Sequence, residues 1–221
     1  MDWQAVISSV PSLWQGLQIT LELCAIAAFC ALALGAFLAL LLMRAPAFLQ
    51  ALVRVWTALT LGLPLLVVIY LLYFVLPEYN ITFSSPVVGV LALTLYYAPY
   101  IAHVIRAAIE ALPRGQWEAT RVLGLSRLRA LGDVVLPQTL PQMLSPLMGL
   151  LIGLLKDSAL LSIVSVQEFM YEAKQAISAT YAPLEIYLTV ALCYWVISSF
   201  IDFLARRLEQ RMTRYSQRLP H

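Results

Sequence analysis

The chain has 221 residues, of which 62% are hydrophobic and only 12% are charged, and its formal net charge is +2. Soluble globular domains carry about 25% charged residues, so this composition excludes a soluble protein and indicates a chain that crosses a lipid bilayer several times. No nucleic-acid partner is expected.

The N-terminal residues are typical of a segment that stays in the membrane. Trp3 and Trp14 are aromatic residues of the kind that anchor chains at membrane interfaces, and no Lys or Arg precedes residue 17. A secretory signal peptide begins with basic residues, so cleavage is not expected. The first predicted transmembrane helix is 17–43, which is long enough to cross a hydrocarbon core of about 30 Å at about 1.5 Å per residue.

Four more apolar segments follow, and together they predict an all-α integral membrane protein with five transmembrane helices. No repeat or low-complexity linker divides the chain, so residues 1–221 are expected to form a single domain. Polar intervals separate the third segment from the fourth, at 110–138, and the fourth from the fifth, at 167–183. The approximate limits of these four segments are 55–76, 87–105, 143–166 and 184–204.

The distribution of positive residues predicts the orientation of the chain. All twelve arginines lie in or beside the loops that follow the first, third and fifth segments, whereas the other side holds only Lys174. The positive-inside rule therefore places the N-terminus outside, and the C-terminus and the interval 110–138 in the cytoplasm.

The interval 110–138, which we call the elbow, is predicted to form a helix, a turn and a second helix. Gly124 stands where the end of a helix favours a residue that tolerates positive φ. Ser126 is suited to cap a second helix, 127–136, which Pro137 is expected to stop. An amphipathic loop lying on the lipid surface is the alternative interpretation of this pattern.

The fourth segment carries charge near its middle, at Lys156 and Asp157. Either residue would cost roughly 2.5 to 3.5 kcal/mol if it faced lipid, so both should face protein, water or each other. Ser145, Gly149 and Gly153 precede Asp157 at intervals of four residues, which favours a close helix approach. Two interpretations remain open: the charges are satisfied by neighbouring helices, or they line a substrate path.

The elbow resembles the E-A-A, G, I-x-L-P signature of permease subunits of bacterial ATP-binding cassette (ABC) importers, with Thr120 as a departure from the usual alanine. The resemblance implies that this short rigid segment couples the membrane helices to an ATPase subunit. The implied coupling residues are Glu118, Ala119, Thr120, Gly124, Leu136 and Pro137.

A second resemblance indicates one branch of this permease family. Residues 156–163 are similar to the K-D-S-S-L-V-S-V stretch of permeases for polar amino acids, which include histidine, glutamine, glutamate, arginine, opine and cystine systems. Where the family usually has R-G-T-P-L-L-V, residues 61–67 read L-G-L-P-L-L-V, which lacks the charge and the hydroxyl group. The third segment lacks the family's usual amide and carboxylate. We therefore expect either that this subunit is the weaker-binding half of a heterodimer or that its cargo is recognised by other residues. The candidate residues of the substrate path are Lys156, Asp157, Ser158, Tyr96, Tyr100 and His103.

The resemblance implies a multi-pass subunit of the bacterial inner membrane that takes part in ATP-driven amino acid uptake. The chain has no G-x-x-x-x-G-K-[ST] loop, so it is not expected to be an enzyme, and it has no expected catalytic residue, metal site or cofactor of its own. ATP and Mg²⁺ are expected on two partner ATPase subunits. The other implied partners are a second permease, with a heterodimer favoured over a homodimer, and an extracytoplasmic solute-binding protein.

The external stretch 167–183 offers candidate contacts for that binding protein at Glu168, Glu172 and Lys174, with an ordinary solvated helix as the alternative. Two other functions remain open. An ion-coupled secondary carrier would use Lys156 and Asp157, although the odd number of segments and the missing inverted repeat speak against it. A noncatalytic membrane anchor would explain the elbow but not the charges within the membrane.

Overall fold

The computed structural model describes residues 3–126 and 129–216, and every regular element within these ranges is helical. Short π or 3₁₀ turns extend some of the helices, at Leu71–Val75 and Leu76–Tyr79 after α3, at Ala130–Val135 before α6 and at Ser158–Val164 after it. The helices are α1 (Trp3–Arg44), α2 (Ala47–Gly62), α3 (Leu65–Tyr70), α4 (Ser85–Glu110), α5 (Arg114–Val122), α6 (Leu136–Asp157), α7 (Phe169–Thr180) and α8 (Pro183–Ser216).

The helices confirm the predicted all-α membrane architecture. Four continuous stretches in the described part of the chain are long and apolar enough to cross a membrane, and a bent pair supplies a fifth when it is counted as one span. The first helix begins at Trp3 and so extends beyond the predicted segment 17–43 at its N-terminal end. The four stretches are Trp3–Arg44, Ser85–Glu110, Ala130–Val164 and Pro183–Met212.

The predicted second segment, 55–76, is bent in the structure at the position of Gly62 and Pro64. The chain breaks between α2 and α3, and the two parts meet at 109°. Leu63 and Pro64 both have extended backbone, with ψ of 137° and 141°. A proline disfavours helical geometry in the residue before it and has no N–H to donate, which explains why the helix ends here and restarts.

The core lies where α1, α3, α4 and the end of the fourth span meet. Helix α1 packs more extensively against α4 than any other pair of described elements. Gly35 permits this approach, because a Cβ atom there would lie 2.6 to 2.8 Å from Ile101 side-chain atoms and the Ala98 carbonyl oxygen. Ala31, Leu93 and Leu161 fill the same core and are fully buried.

The second half of the elbow does not form a separate helix that stops at Pro137, as the sequence had suggested. A π turn, Ala130–Val135, runs directly into α6, and the whole stretch Ala130–Val164 forms one span. The Leu136 N–H bonds to the Leu131 carbonyl oxygen, five residues back, so the backbone is wider than an α-helix just before Pro137. Such a widening accommodates proline where an ideal α-helix would not.

Candidate coupling elbow and membrane-embedded site

The first elbow helix, α5, ends in a tight turn at Gly124. Gly124 has a φ of 67°, its N–H bonds to the Arg121 carbonyl oxygen at 3.0 Å, and the Leu125 N–H bonds to the Thr120 carbonyl oxygen at 3.0 Å. These two bonds form a Schellman motif, which confirms the predicted positive φ. No atom lies within 4 Å of a Cβ built on Gly124, so the backbone conformation and not packing requires glycine.

The inner side of the elbow is attached firmly to the fourth span. The Thr120 side chain is buried and its hydroxyl donates to the Trp117 carbonyl oxygen at 2.8 Å. The Gln138 amide donates to Gln116 Oε1 at 3.2 Å and to the Val134 carbonyl oxygen at 3.0 Å, which joins α5 to the beginning of α6. Movement of α5 is therefore expected to move the span that follows it.

The outer side of α5 presents an unusual surface. Glu118 and Ala119 are exposed, and Glu118 forms no ion pair with any residue that the structure describes. Val122 and Leu123, which are apolar, are 88% and 73% exposed. Exposed apolar side chains beside an unpaired carboxylate are typical of a surface that another protein covers.

Part of the predicted substrate path comes together within the membrane. Tyr97 Oη donates to Asp157 Oδ2 at 2.7 Å, and the rings of Tyr96 and Tyr100 lie 5.5 Å apart beside it. A Cβ on Gly153 would lie 3.0 Å from Tyr97 Oη, so glycine leaves room for this hydrogen bond. Sequence reasoning singled out Tyr96, Tyr100 and Asp157 but missed Tyr97, whose signal is that a buried tyrosine hydroxyl requires a polar partner.

The other predicted path residues lie elsewhere. Lys156 is exposed. It forms no described ion pair with Asp157, because neighbouring residues on an α-helix point about 100° apart. His103 is exposed and lines a separate groove with Arg54 and Arg106. Ser158 is buried, and its hydroxyl donates to the Leu155 carbonyl oxygen at 2.7 Å.

Replacing Tyr97 by phenylalanine is expected to destabilise the permease by about 1 to 3 kcal/mol, because it leaves a part-buried carboxylate without its donor. Thermal unfolding of the purified protein measures this change. Tyr100→Phe is the matched control, since its hydroxyl makes only a 3.4 Å contact with Tyr96 Oη. Equal effects of the two substitutions would contradict the importance of the Tyr97–Asp157 bond.

Glu168, in the stretch between the fourth and fifth spans, is fully buried. Its carboxylate accepts the backbone N–H groups of Met170 and Tyr171, both at 2.9 Å, and so caps α7. The Phe169 N–H donates to Thr20 Oγ1 at 2.9 Å, which ties the beginning of α7 to α1. Glu168 therefore lies away from the surface where a binding protein would dock.

The two other candidate contacts of this stretch have different surroundings. Glu172 is half-buried, and its Cγ atom would lie 2.8 Å from a Cβ on Gly16, so α1 approaches α7 closely there. Lys174 is exposed, and its Nζ donates to Ser162 Oγ at 2.8 Å. Of the three predicted residues, Lys174 is the one that offers a charged group at the surface.

Burial raises the pKa of Glu168 from its ordinary 4.5 to about 7, although the Met170 and Tyr171 N–H groups act in the opposite direction. The folded protein then holds this proton more tightly than the unfolded chain. The protonated Glu168 side chain therefore contributes folding stability that is fully present below pH 4.5. This contribution is lost as the pH rises through about 7.

The melting temperature of the purified permease is accordingly expected to fall over this pH window, and Glu168→Gln is expected to reduce the slope. The control is Glu172→Gln, on the same helix, which should keep the slope of the unmodified protein. An unchanged slope in the Glu168 variant would show that another group causes the pH dependence.

Comparison with known proteins gives consistent matches over most of the chain. Residues 31–214 match the family described as binding-protein-dependent transport system inner membrane component. The arginine ABC transporter permease protein ArtQ of Haemophilus influenzae is 36% identical over 199 residues, which cover 86% of this chain and 90% of that protein. The probable amino-acid ABC transporter permease protein YckA of Bacillus subtilis is 32% identical over 209 residues, which cover 95% of this chain and 92% of that protein.

Solved structures share the fold. A chain from a crystal structure of an amino acid ABC transporter with histidines is 30% identical, with a TM-score of 0.89 over 96% of this chain and 99% of that chain. An inward-facing form of the MetNI methionine ABC transporter is 20% identical, with a TM-score of 0.77 over 91% of this chain and 96% of that chain. From the extent of the family match and the identity of these relatives, we conclude that the chain belongs to the inner membrane components of binding-protein-dependent transport systems.

Proposed function

We propose that this chain is the membrane-spanning permease subunit of an ATP-driven importer of an amino acid. The observation that carries the proposal is the elbow, whose outer surface of Glu118, Val122 and Leu123 is exposed while its inner side is fixed to the fourth span. Two cytoplasmic ATPase subunits would bind this surface. The N-terminus would lie outside and the C-terminus in the cytoplasm, as the distribution of arginines predicts.

The coupling follows from the continuity of the fourth span. The helix that begins at Ala130 beside the elbow continues to Val164 and carries Gly153 and Asp157 on the way. Closure of two ATPase subunits around ATP would displace α5 as a rigid body, and the Gln116–Gln138 bond would transmit that displacement to this helix. The Tyr97–Asp157 contact would then shift, which changes access to the membrane-embedded site.

An amino acid is proposed as cargo because the two relatives above are amino acid or arginine permeases, and because residues 156–163 resemble those of polar amino acid systems. The path would include Asp157, Tyr96, Tyr100 and Ser158, with Lys156 and His103 on adjoining surfaces. Asp157 already accepts the Tyr97 hydroxyl. The groove beside Tyr96, about 200 Å³, is lined mainly by apolar residues such as Leu59, Leu63 and Leu72.

These features favour a subunit that binds cargo weakly and pairs with a second, different permease. Coexpression with its ATPase and binding protein, with and without the neighbouring permease gene, tests this. We expect full uptake only when both permeases are present. A fully active homodimer would contradict the heterodimer, and uptake driven by an ion gradient without any ATPase would contradict the importer itself.

The solute-binding protein would dock on the extracytoplasmic side near α7. Lys174 is exposed there and Glu172 is half-buried, so these two residues are the proposed contacts. Glu168 is assigned to capping α7, because its carboxylate is buried and satisfied within the chain.

A further inference from the structure

A cleft of about 320 Å³ separates the end of α1 from the elbow. Arg44, the last residue of α1, and Arg121, on α5, both line it. Trp117, Met43 and Leu125 supply the apolar part of the wall. Thr120 of the coupling motif also lines the cleft, whereas Glu118, Val122 and Leu123 of the outer surface do not.

The charges in this cleft are of one sign. No acidic residue lines it, and neither Arg44 nor Arg121 forms an ion pair within residues 3–126 and 129–216. Two guanidinium groups that face the same space repel each other unless an anion lies between them. Guanidinium groups bind phosphate well, because their planar N–H donors match the phosphate oxygens in pairs.

The position of the cleft indicates where the phosphate comes from. Arg44 ends the first membrane-spanning helix on the side that the arginine distribution places in the cytoplasm, where basic residues meet the headgroups of the inner leaflet. Trp117 is amphipathic and suits this interface, and Met43 offers apolar contact to the lipid below. We propose that the cleft binds the phosphate of an anionic phospholipid of the cytoplasmic leaflet, and that the bound lipid holds the elbow against the end of α1. The proposal shares with the proposed function only the cytoplasmic position of the elbow.

Native mass spectrometry of the full-length permease, isolated with the subunits that copurify, tests the site. The protein is titrated with phosphatidylglycerol, with phosphatidylcholine of the same acyl chains, and with inorganic phosphate. Phosphatidylglycerol is expected to bind best, and Arg44→Gln and Arg121→Gln should each weaken its binding about fivefold, as a membrane-surface contact of about 1 kcal/mol per basic residue implies. Arg114→Gln, on the same helix but outside the cleft, should leave binding unchanged.

Several results would overturn the proposal. Equal binding of the two lipids, or an equal effect of Arg114→Gln, would show that the cleft does not select the anionic headgroup. Displacement of the lipid by inorganic phosphate at the same concentration would identify a soluble anion as the ligand. Release of the lipid when an ATPase subunit is added would assign the two arginines to a protein contact. Absence of any copurifying ATPase would instead contradict the importer and leave the lipid result standing.

Discussion

Replacing Glu118 by lysine is expected to reduce solute uptake by about tenfold or more, while the amount of permease in the membrane stays unchanged. Glu118 is exposed and forms no ion pair among the described residues, so its replacement breaks none there. At an interface with an ATPase, reversing the charge would juxtapose unmatched groups, which costs several kcal/mol. Uptake of labelled solute and quantification of the protein in the same membranes measure both quantities.

The matched control for this experiment is Glu78→Lys. Glu78 is also exposed, and it lies in the turn Leu76–Tyr79, on the side of the membrane opposite the elbow in the proposed orientation. We expect this variant to transport normally. Normal uptake by the Glu118 variant would remove the elbow from the coupling pathway, and equal losses in both variants would indicate a general charge effect.

Substituting Gly35 by alanine is expected to destabilise the permease by about 1 to 3 kcal/mol, which is the usual cost of overpacking a tight core. The added Cβ atom would lie 2.8 Å from the Ala98 carbonyl oxygen and within 2.7 Å of Ile101 carbons, so α1 and α4 would have to separate. This contact is the most extensive between described helices. Thermal unfolding of the purified permease in detergent measures the loss.

The control substitution, Gly149→Ala, should have the opposite effect on the stability of the permease. Gly149 also lies within a helix, but no atom of the chain lies within 4 Å of a Cβ built there. Alanine is favoured over glycine in helices by about 0.5 to 1 kcal/mol, so this variant should be slightly more stable. A Gly35 variant as stable as the unmodified protein would show that the α1–α4 contact is looser than the structure indicates.

Local rules explain which features were predictable from the sequence. The apolar segments were long enough to predict an all-α membrane protein, because hydrophobicity over about 20 residues indicates a span. Gly124 was recognised as the end of α5 because few residues other than glycine adopt a φ of 67° readily. The coupling motif at Glu118 came from family resemblance and not from periodicity.

The presence of a proline was the least reliable indication of where a helix ends. Pro64 separates two helices at 109°, whereas Pro137 continues a span after a π turn. The same residue type therefore ends one helix and is tolerated within another. Sequence reasoning had expected Pro137 to stop a helix, whereas the span continues through it in the structure.

Tertiary contacts explain other differences between the sequence predictions and the structure. Tyr97 was missed because its partner, Asp157, lies 60 residues away in sequence. Glu168 was expected at the surface because its neighbours include charged residues, yet packing of α7 against Thr20 of α1 buries it. Val122 and Leu123 are apolar, yet no described part of the chain covers them.

The most direct test of the account is the environment of the elbow in the assembled transporter. Cys24, Cys30 and Cys193 are replaced by alanine, and Val122→Cys is introduced at a position that is 88% exposed in the isolated chain. We predict that a membrane-impermeant maleimide labels this cysteine only from the cytoplasmic side when the permease is expressed without its ATPase, and that in the assembled complex a short bifunctional reagent crosslinks it to the ATPase subunit. Labelling from the external side, or no crosslink in a complex that contains the ATPase, would contradict the account.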